Sequence, residues 1–224
     1  MPGGLLIAFE GGEATGKTTQ TAAAAQWLKG LGFGVLRTRE PGDGRAGEKI
    51  RELLLGPGSD DLDERAEALL YAADRAQHVA RVIMPAMLQG TIMVCDRYAD
   101  SSVAYQGAGR GLGAERIRKL GEWASRGVAP DLTVLLDMSH AVARERRSGP
   151  RDRIEQQPPD FHQRVREAFL ELSDDNPRRY LVLPADQPAD HVTFAVRERL
   201  LRLLARRLGT TPEGVAKMAA TGHE

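Results

Sequence analysis

A short segment near the start of the chain has the residue types and spacing of a phosphate-binding loop. Residues 11–18 read GGEATGKT, which matches the pattern G-x-x-x-x-G-K-T. In such a loop the backbone N–H groups surround an anion, Lys17 can reach the β- and γ-phosphates, and the Thr18 hydroxyl can bind Mg²⁺. An apolar run precedes the motif and a helix-like run follows it. Because the chemistry requires this strand–loop–helix order, we favour a nucleotide-binding loop over an ordinary turn.

A second set of charged residues follows the apolar run at residues 92–95, which ends in Asp96 and Arg97. An aspartate at such a strand end can lie beside the Mg²⁺ of a nucleotide, although many buried strands end in aspartate for capping alone. The guanidinium of Arg97 could bind a phosphate bidentately in the same crevice. We therefore expect a second anion-binding group close to the phosphate-binding loop.

Two further segments could bind a ligand, and each also has a simpler interpretation. The loop REPGDG at residues 39–44 is either a ligand-binding loop at the carboxyl edge of a sheet or a plain connector. Residues 61–87 have a helical pattern, for which we predict Asp60 or Asp61 as the N-cap. On that helix Tyr71, Arg75 and His78 share one face, so they could hold a planar base or serve as half-buried packing and surface charge.

Arginines are concentrated at residues 144–153, where a Ser-Gly-Pro segment interrupts them. Glycine and proline in this stretch favour a mobile loop over a packed helix. The loop is either a solvated run of charge or a lid that brings positive charge over a polyphosphate.

The elements that must position these residues follow from the apolar runs. Helical patterns separate five short runs that have the character of buried strands, at residues 5–10, 34–39, 91–96, 132–137 and 180–184. This alternation predicts an α/β fold of three layers, with a five-stranded parallel sheet between helices. We predict one domain at residues 1–208, with a lid at about residues 144–157 and a tail at 209–224 that is mobile or forms an accessory turn.

Composition limits the class of protein. The 31 basic and 31 acidic residues balance, so no overall basic field would attract nucleic acid. The single cysteine, Cys95, cannot form an internal disulfide, which fits a reducing compartment. The first apolar run is too short for a signal peptide or a membrane span. We expect a cytoplasmic protein without nucleic-acid or membrane partners.

Several separate segments together resemble the bacterial thymidylate kinases, a family of P-loop nucleoside monophosphate kinases. The resemblance extends over about residues 5–204 and is carried by segments at residues 9–19, 39–42, 69–75, 96–101, 104–111 and 152–155. The block from Asp96 to Gly111 is specific to that family, whereas the phosphate-binding loop alone is not.

The resemblance implies an enzyme that phosphorylates dTMP to dTDP with ATP and Mg²⁺, in the synthesis of dTTP. Thr18 and Asp96 would lie at the metal. The loop and the residue after it would bind ATP: Gly11, Gly12, Glu13, Ala14, Thr15, Gly16, Lys17, Thr18 and Thr19. Because the family is usually homodimeric, a homodimer is also implied.

The resemblance further implies an acceptor site for dTMP. Arg97 would hold its phosphate, Tyr71 would stack on thymine where the family usually has phenylalanine, and Arg75 would read a thymine carbonyl. Tyr105 would crowd the sugar 2′ position and favour deoxyribose. The remaining substrate contacts would come from Arg39, Pro41, Ser102 and Gln106.

The catalytic arginine of this family lies either in the phosphate-binding loop or in the lid. Residues 13–15 contain no arginine, so the chain is similar to the lid type, which is usual in bacteria. Glu13 would approach the 3′-hydroxyl or the phosphoryl-transfer centre. The catalytic residues implied are Lys17, Arg97, Glu13, Arg147, Arg151 and Arg153.

Two positions depart from the family pattern. Ala14 stands where glycine is usual, so the backbone there must avoid positive φ or accept strain. Asp43 and Gly44 replace the usual Gly-Thr. The carboxylate of Asp43 should weaken the binding of an anionic substrate unless it faces away or meets a cation.

Other functions are possible for a chain with this loop. The closest alternative is a kinase for another deoxynucleoside monophosphate or for a deoxynucleoside, with Glu40 or Glu13 as the base in the latter case. A GTP-dependent switch protein needs an Asn-Lys-x-Asp segment to read guanine. The only asparagine of the sequence, Asn176, is followed by proline, so such a switch in its usual form is excluded. Lys17, Thr18 and the Asp-Arg pair argue against a nucleotide-binding module without catalysis.

Overall fold

The computed structural model describes residues 3–59, 61–147, 149 and 151–221, with the backbone alone for 219–221. Asp60, one of the two predicted helix caps, lies outside these residues. Five strands form one sheet: β1 Leu5–Glu10, β2 Val35–Arg39, β3 Ile92–Asp96, β4 Leu132–Asp137 and β5 Tyr180–Pro184. Their order is β2-β3-β1-β4-β5. All pairs are parallel, as predicted from the sequence.

Helices cover both faces of the sheet. They are α1 Lys17–Gly30, α2 Gly44–Leu55, α3 Glu64–His78, α4 Met84–Leu88, α5 Ala99–Ser102, α6 Ala114–Ala124, α7 His140–Arg146, α8 Pro159–Asp175, α9 Ala189–Leu208 and α10 Pro212–Thr221. Successive residues of the fully buried strand β1 point to opposite layers. Leu5, Ile7 and Phe9 pack with α1 and α9, whereas Leu6 and Ala8 pack with the residues around α4. The predicted three-layer α/β/α architecture is therefore confirmed.

The sheet register places the charged strand ends at one edge. Asp96 pairs with Phe9 of β1 on one side and with Arg39 of β2 on the other. The phosphate-binding loop starts directly after β1, so it opens at this same carboxyl edge, where open α/β sheets bind ligands.

The helix predicted over residues 61–87 starts later and is not uniform. Asp63, not Asp61, is the N-cap, because its carboxylate accepts hydrogen bonds from Arg65 N at 2.9 Å and Ala66 N at 3.2 Å. A π-helical turn at Val79–Ile83 separates α3 from α4. It ends two residues before Pro85, whose missing N–H cannot continue the α-helical hydrogen bonds.

Two other segments differ from the sequence prediction. Arg144 and Arg146 belong to helix α7, so the expected arginine-rich loop begins only after Arg146. The segment after Leu208, expected to be mobile or an accessory turn, forms helix α10. Val215 of this helix is fully buried in the same hydrophobic core as Leu200 and Leu204 of α9. Across the described residues, no helix combines the length and the apolar character needed to span a membrane.

Candidate active site

The phosphate-binding loop uses left-handed backbone at three of its residues. Gly11 and Gly16 have φ values of 132° and 88°. Gly11 is required for a second reason, because a Cβ there would lie 2.3 Å from the carbonyl oxygen of Leu136. Ala14, the position of the first family departure, has φ 54°. Its backbone therefore accepts the strained left-handed conformation that glycine would adopt freely.

Lys17 lies at the mouth of the loop and is buried. Its ammonium donates to the carbonyl oxygens of Gly11, at 3.2 Å, and Gly12, and contacts Thr15 Oγ1 at 3.4 Å. Burial and the neighbouring Arg97 lower the pKa of Lys17 to about 8. Its charged form is therefore destabilised until an anion reaches the loop.

The first turn of α1 carries the oxygen ligands expected for Mg²⁺. The Thr18 hydroxyl donates to Asp96 Oδ2 at 2.8 Å, so both predicted ligands meet at one point, and Thr19 is exposed beside them. Among the described residues there is no cluster of three His, Cys, Asp or Glu side chains that could enclose a metal by itself. Two hard oxygen donors at a phosphate-binding loop fit Mg²⁺, which takes its remaining ligands from phosphates and water.

Arg97 joins the loop to the rest of the site. Its backbone has φ 67°, a left-handed conformation that is uncommon for a side chain of this size. Nη1 donates to Gly11 O at 2.9 Å and to Ser101 Oγ at 3.2 Å, while Nη2 donates to Glu13 Oε1 at 2.9 Å and to Tyr105 OH at 3.2 Å. The guanidinium therefore lies between the phosphate-binding loop and the segment that follows β3.

Glu13 completes this cluster. Its Oε1 also accepts a hydrogen bond from the Tyr105 hydroxyl at 2.6 Å. Burial acts in the opposite direction, but Arg97 and Lys17 hold the pKa of Glu13 below its usual value. The carboxylate is therefore ionised at neutral pH beside two cations.

A cavity of about 290 Å³ adjoins the loop at the carboxyl edge of the sheet. Glu13, Lys17, Thr18 and Asp96 line it on the side of the phosphate-binding loop. All the substrate residues predicted from the sequence line it as well: Arg39, Pro41, Tyr71, Arg75, Arg97, Ser102, Tyr105 and Gln106. The whole lining comes from six separate segments of the chain, at residues 13–18, 39–41, 51–55, 71–75, 96–106 and 152–155.

The buried arginine of α3 is held in one orientation. Arg75 Nε pairs with Glu40 at 2.9 Å, and its Nη2 donates to Tyr98 O and Ser102 Oγ, each at 3.1 Å. His78, which shares its helix face, instead contacts Glu40 Oε1 at 2.9 Å behind the cavity wall. Of the three residues predicted to share a face, Tyr71 and Arg75 reach the cavity and His78 supports it.

Asp43, the second family departure, does not join the described lining of the acceptor cavity. Its carboxylate accepts a hydrogen bond from the Thr38 hydroxyl and lies 3.7 Å from His78 Nε2. Its carboxylate therefore contacts a hydroxyl and an imidazole, and it lines a neighbouring pocket that also includes Thr18 and Asp96.

Two residues of this site were not found from the sequence. Arg51 of α2 lines the cavity and donates to Pro41 O at 2.9 Å; burial and Arg39 lower its pKa. Glu67 of α3 is fully buried and accepts from Gln106 at 2.7 Å. Both lie on helices with an ordinary amphipathic pattern, which carries no signal for either role.

The three predicted lid arginines have different surroundings. Arg147 pairs with Glu155, and Arg153 Nη1 pairs with the buried Glu67 at 2.7 Å. Arg151 is exposed, and its side chain has no hydrogen-bond or ion-pair partner among the described residues. A catalytic role for Arg153 stays a prediction, and its pairing with Glu67 favours a structural one.

The lid turn has its own local support. Asp152 Oδ1 accepts from Glu155 N at 3.0 Å, and Glu155 Oε2 accepts from Asp152 N at 2.9 Å. This reciprocal arrangement is a capping box, which fixes the turn that follows Arg151. Asp152, Ile154 and Glu155 line the cavity, so the predicted lid borders the predicted substrate residues.

Comparison with known proteins identifies the family of the chain. The family model for thymidylate kinase matches residues 9–196. The thymidylate kinase of Cutibacterium acnes is 48% identical over 91% of this chain and 100% of its own, and that of Leifsonia xyli is 50% identical over 88% and 94%. The crystal structure of thymidylate kinase from Ehrlichia chaffeensis, 31% identical, superimposes with a TM-score of 0.75 over 89% of this chain and 100% of its own. The chain therefore belongs to the thymidylate kinase family.

Proposed function

We propose that this chain transfers the γ-phosphoryl group of ATP to dTMP, with Mg²⁺, and forms ADP and dTDP. The observation that carries the proposal is Arg97, whose guanidinium contacts Gly11 and Glu13 of the donor loop while it also lines the acceptor cavity. An enzyme that joins two anionic phosphates needs cations on both sides of the reacting centre, and this placement supplies them.

The reaction needs no general base in the protein. An oxygen of the dTMP phosphate, already ionised at neutral pH, forms a bond to the γ-phosphorus of ATP while the bond to the β,γ-bridging oxygen breaks. Catalysis then consists of positioning and charge neutralisation. Lys17 and the loop N–H groups would bind the donor, and Arg97 the acceptor. Thr18 and Asp96 would hold Mg²⁺, which neutralises phosphate charge when it is bound.

The contacts of Arg97 indicate how the acceptor enters. The Glu13 carboxylate and the Tyr105 hydroxyl both bind Nη2, at 2.9 and 3.2 Å. The phosphate of dTMP would compete with Glu13 for this nitrogen, so Glu13 keeps Arg97 oriented until substrate arrives. Tyr105 is buried and lines the same cavity, and its ring would exclude a ribose 2′-hydroxyl.

Two buried carboxylates orient the groups that would read the base. Glu40 holds Arg75, and Glu67 accepts from the amide nitrogen of Gln106. Fixing that amide leaves its carbonyl oxygen as the group for a base N–H. Arg75 would donate to a thymine carbonyl, and Tyr71 would stack on the ring.

Of the lid arginines, Arg151 is the best candidate to cover the transferring group, because it has no competing partner among the described residues. Closure of the lid would also exclude water, which otherwise hydrolyses ATP. Arg147 could assist after release from Glu155.

We infer further that the active form is a cytoplasmic homodimer. Leu69 of α3 and Trp123 of α6 are 59% and 79% exposed and line one groove together with Ala73, Ala76 and Leu120. Gln77, Arg81 and Arg126 border the same groove, so exposed apolar side chains lie within a polar rim, an arrangement that favours a second copy of the chain. Trp123→Lys should produce monomers in analytical ultracentrifugation; a wild-type monomer at micromolar concentration would contradict the proposal.

The proposed substrate is tested by acceptor-dependent ADP release in a coupled assay. The acceptors are dTMP, dUMP, dCMP, dAMP and thymidine, each with ATP and Mg²⁺. We expect the highest kcat/KM with dTMP. Phosphorylation of thymidine in preference to dTMP would refute the proposal, because a deoxynucleoside kinase needs a base that accepts a hydroxyl proton.

A further inference from the structure

A fully buried carboxylate lies behind the acceptor arginine and has no role in the chemistry described above. Glu10 is the last residue of β1 and is 0% exposed. Its Oε1 accepts from Tyr98 N at 2.8 Å and from Ser101 N at 3.2 Å, and its Oε2 accepts from the Ser101 hydroxyl at 2.5 Å. Within the described residues, these bonds all come from the segment that begins at Arg97.

The direction of the hydrogen bonds through Ser101 is fixed. A guanidinium can only donate, so Arg97 Nη1 donates to Ser101 Oγ at 3.2 Å. When Glu10 is ionised, the single hydroxyl proton of Ser101 then goes to its carboxylate. Glu10 therefore fixes the Ser101 hydroxyl, which in turn contacts Arg97. It also accepts from the backbone N–H groups of Tyr98 and Ser101, at the two ends of the segment after Arg97.

The arrangement is costly for folding. A fully buried carboxylate is unfavourable unless its hydrogen bonds compensate it. Burial and the nearby Asp100 raise the pKa of Glu10 to about 7. Proteins retain such features mainly where a site needs them.

We propose that Glu10 is a positioning residue that sets the guanidinium of Arg97 for the acceptor phosphate through the Ser101 hydroxyl. The proposal rests on the proposed function, since it assumes that Arg97 binds the acceptor. Glu10 is joined covalently to Gly11, so it ties the position of the Arg97 guanidinium to that of the phosphate-binding loop. In-line transfer depends on that relative position, and an error of about 1 Å can cost on the order of 10²-fold in rate.

The first test uses the variants Glu10→Gln and Ser101→Ala. A glutamine can accept from the two backbone N–H groups, but its NH₂ cannot accept the Ser101 proton. At about pH 8.5, where Glu10 is ionised, we expect either variant to lower kcat for dTMP about 10- to 100-fold. The KM for ATP should change less than about twofold, because the contacts of the loop with ATP remain.

Two readouts separate positioning from a merely structural role. ATP hydrolysis without an acceptor should be unchanged in both variants, because water, unlike dTMP, has no phosphate for Arg97 to bind. The double variant should be no slower than the slower single variant, because both act through one hydrogen-bond path. Ser173→Ala is the matched control: Ser173 of α8 is also a buried serine, and its hydroxyl donates to the Leu170 carbonyl of its own helix, at 2.7 Å.

The outcomes are distinct. Unchanged kcat in both single variants, multiplied losses in the double variant, or a parallel loss of acceptor-free hydrolysis would each overturn the positioning role. Ser101→Ala removes one buried hydroxyl, so it keeps the test valid if Glu10→Gln does not fold. A wild-type enzyme that forms no dTDP would instead refute the proposed function, before any variant is compared.

Discussion

The strain at Ala14 leads to a measurable prediction. Replacement of this residue by glycine should stabilise the protein. The left-handed conformation at φ 54° brings the Ala14 Cβ close to its own following carbonyl. Glycine has no Cβ and adopts this conformation without that contact. The methyl group is half-buried at the cavity wall, so little packing is lost.

The expected size follows from two opposing contributions. Left-handed backbone costs an alanine about 1–2 kcal/mol. Glycine in turn has a more flexible unfolded state, which costs roughly 0.5–1 kcal/mol. The net gain in the free energy of unfolding is therefore about 0.5–1 kcal/mol. For a domain of this size, that corresponds to a rise in Tm of about 1–4 °C.

Thermal unfolding of Ala14→Gly and of a control, Ala23→Gly, tests the prediction. Ala23 is half-buried in the interior of α1, where the same change should destabilise by about 1 kcal/mol. The two variants should therefore shift Tm in opposite directions. If Ala14→Gly lowered Tm as Ala23→Gly does, the left-handed strain at Ala14 would be refuted.

Three further predictions concern charge. ATP binding at about pH 9 should take up nearly one proton, because burial lowers the pKa of Lys17 to about 8 and phosphates favour its charged form; calorimetry in buffers of different ionisation enthalpy measures this, and zero uptake contradicts it. Arg151→Ala should lower kcat about 10- to 100-fold with unchanged Tm. Arg153→Ala should instead lower the free energy of unfolding in urea by about 1–3 kcal/mol, because it leaves the buried Glu67 without this ion pair. The reverse pattern would exchange the roles of the two arginines. Burial raises the pKa of Glu10 from 4.5 to about 7, so its protonation stabilises the fold below about pH 4.5, and that contribution is lost as pH rises through 7. Between these pH values the free energy of unfolding of the wild type should fall by up to about 3 kcal/mol more than that of Glu10→Gln. Urea unfolding at several pH values measures this, and an identical pH dependence of the two proteins would contradict it.

The strands and the phosphate-binding loop could be predicted because their signals are local. A buried parallel strand is apolar on both faces, so β1 and β4 stand out as continuous runs, and the loop motif fixes where α1 begins at Lys17. The family resemblance then predicted a set of substrate residues, and these line one cavity. The specific helix cap was less accessible, since three aspartates lie within residues 60–63 and only the backbone path selects Asp63.

The pairing of charges could not be predicted, because it depends on tertiary neighbours. The arginine-rich segment contains several equivalent guanidinium groups in sequence, and only the fold directs Arg153 to Glu67 and leaves Arg151 exposed. Arg51 reaches the cavity because α2 crosses beside the loop that holds Pro41. Likewise, only the fold brings Thr38 and His78 to the carboxylate of Asp43.

Direct transfer of label from [γ-³²P]ATP to dTMP tests the central claim, that the donor loop and Arg97 form two sides of one phosphoryl-transfer site. The wild-type enzyme should form labelled dTDP. Arg97→Ala should lower that rate by about 10²- to 10³-fold, whereas Arg118→Ala, on the exposed face of α6, should not change it. Labelled dTDP formed by Arg97→Ala at a near wild-type rate would contradict the account.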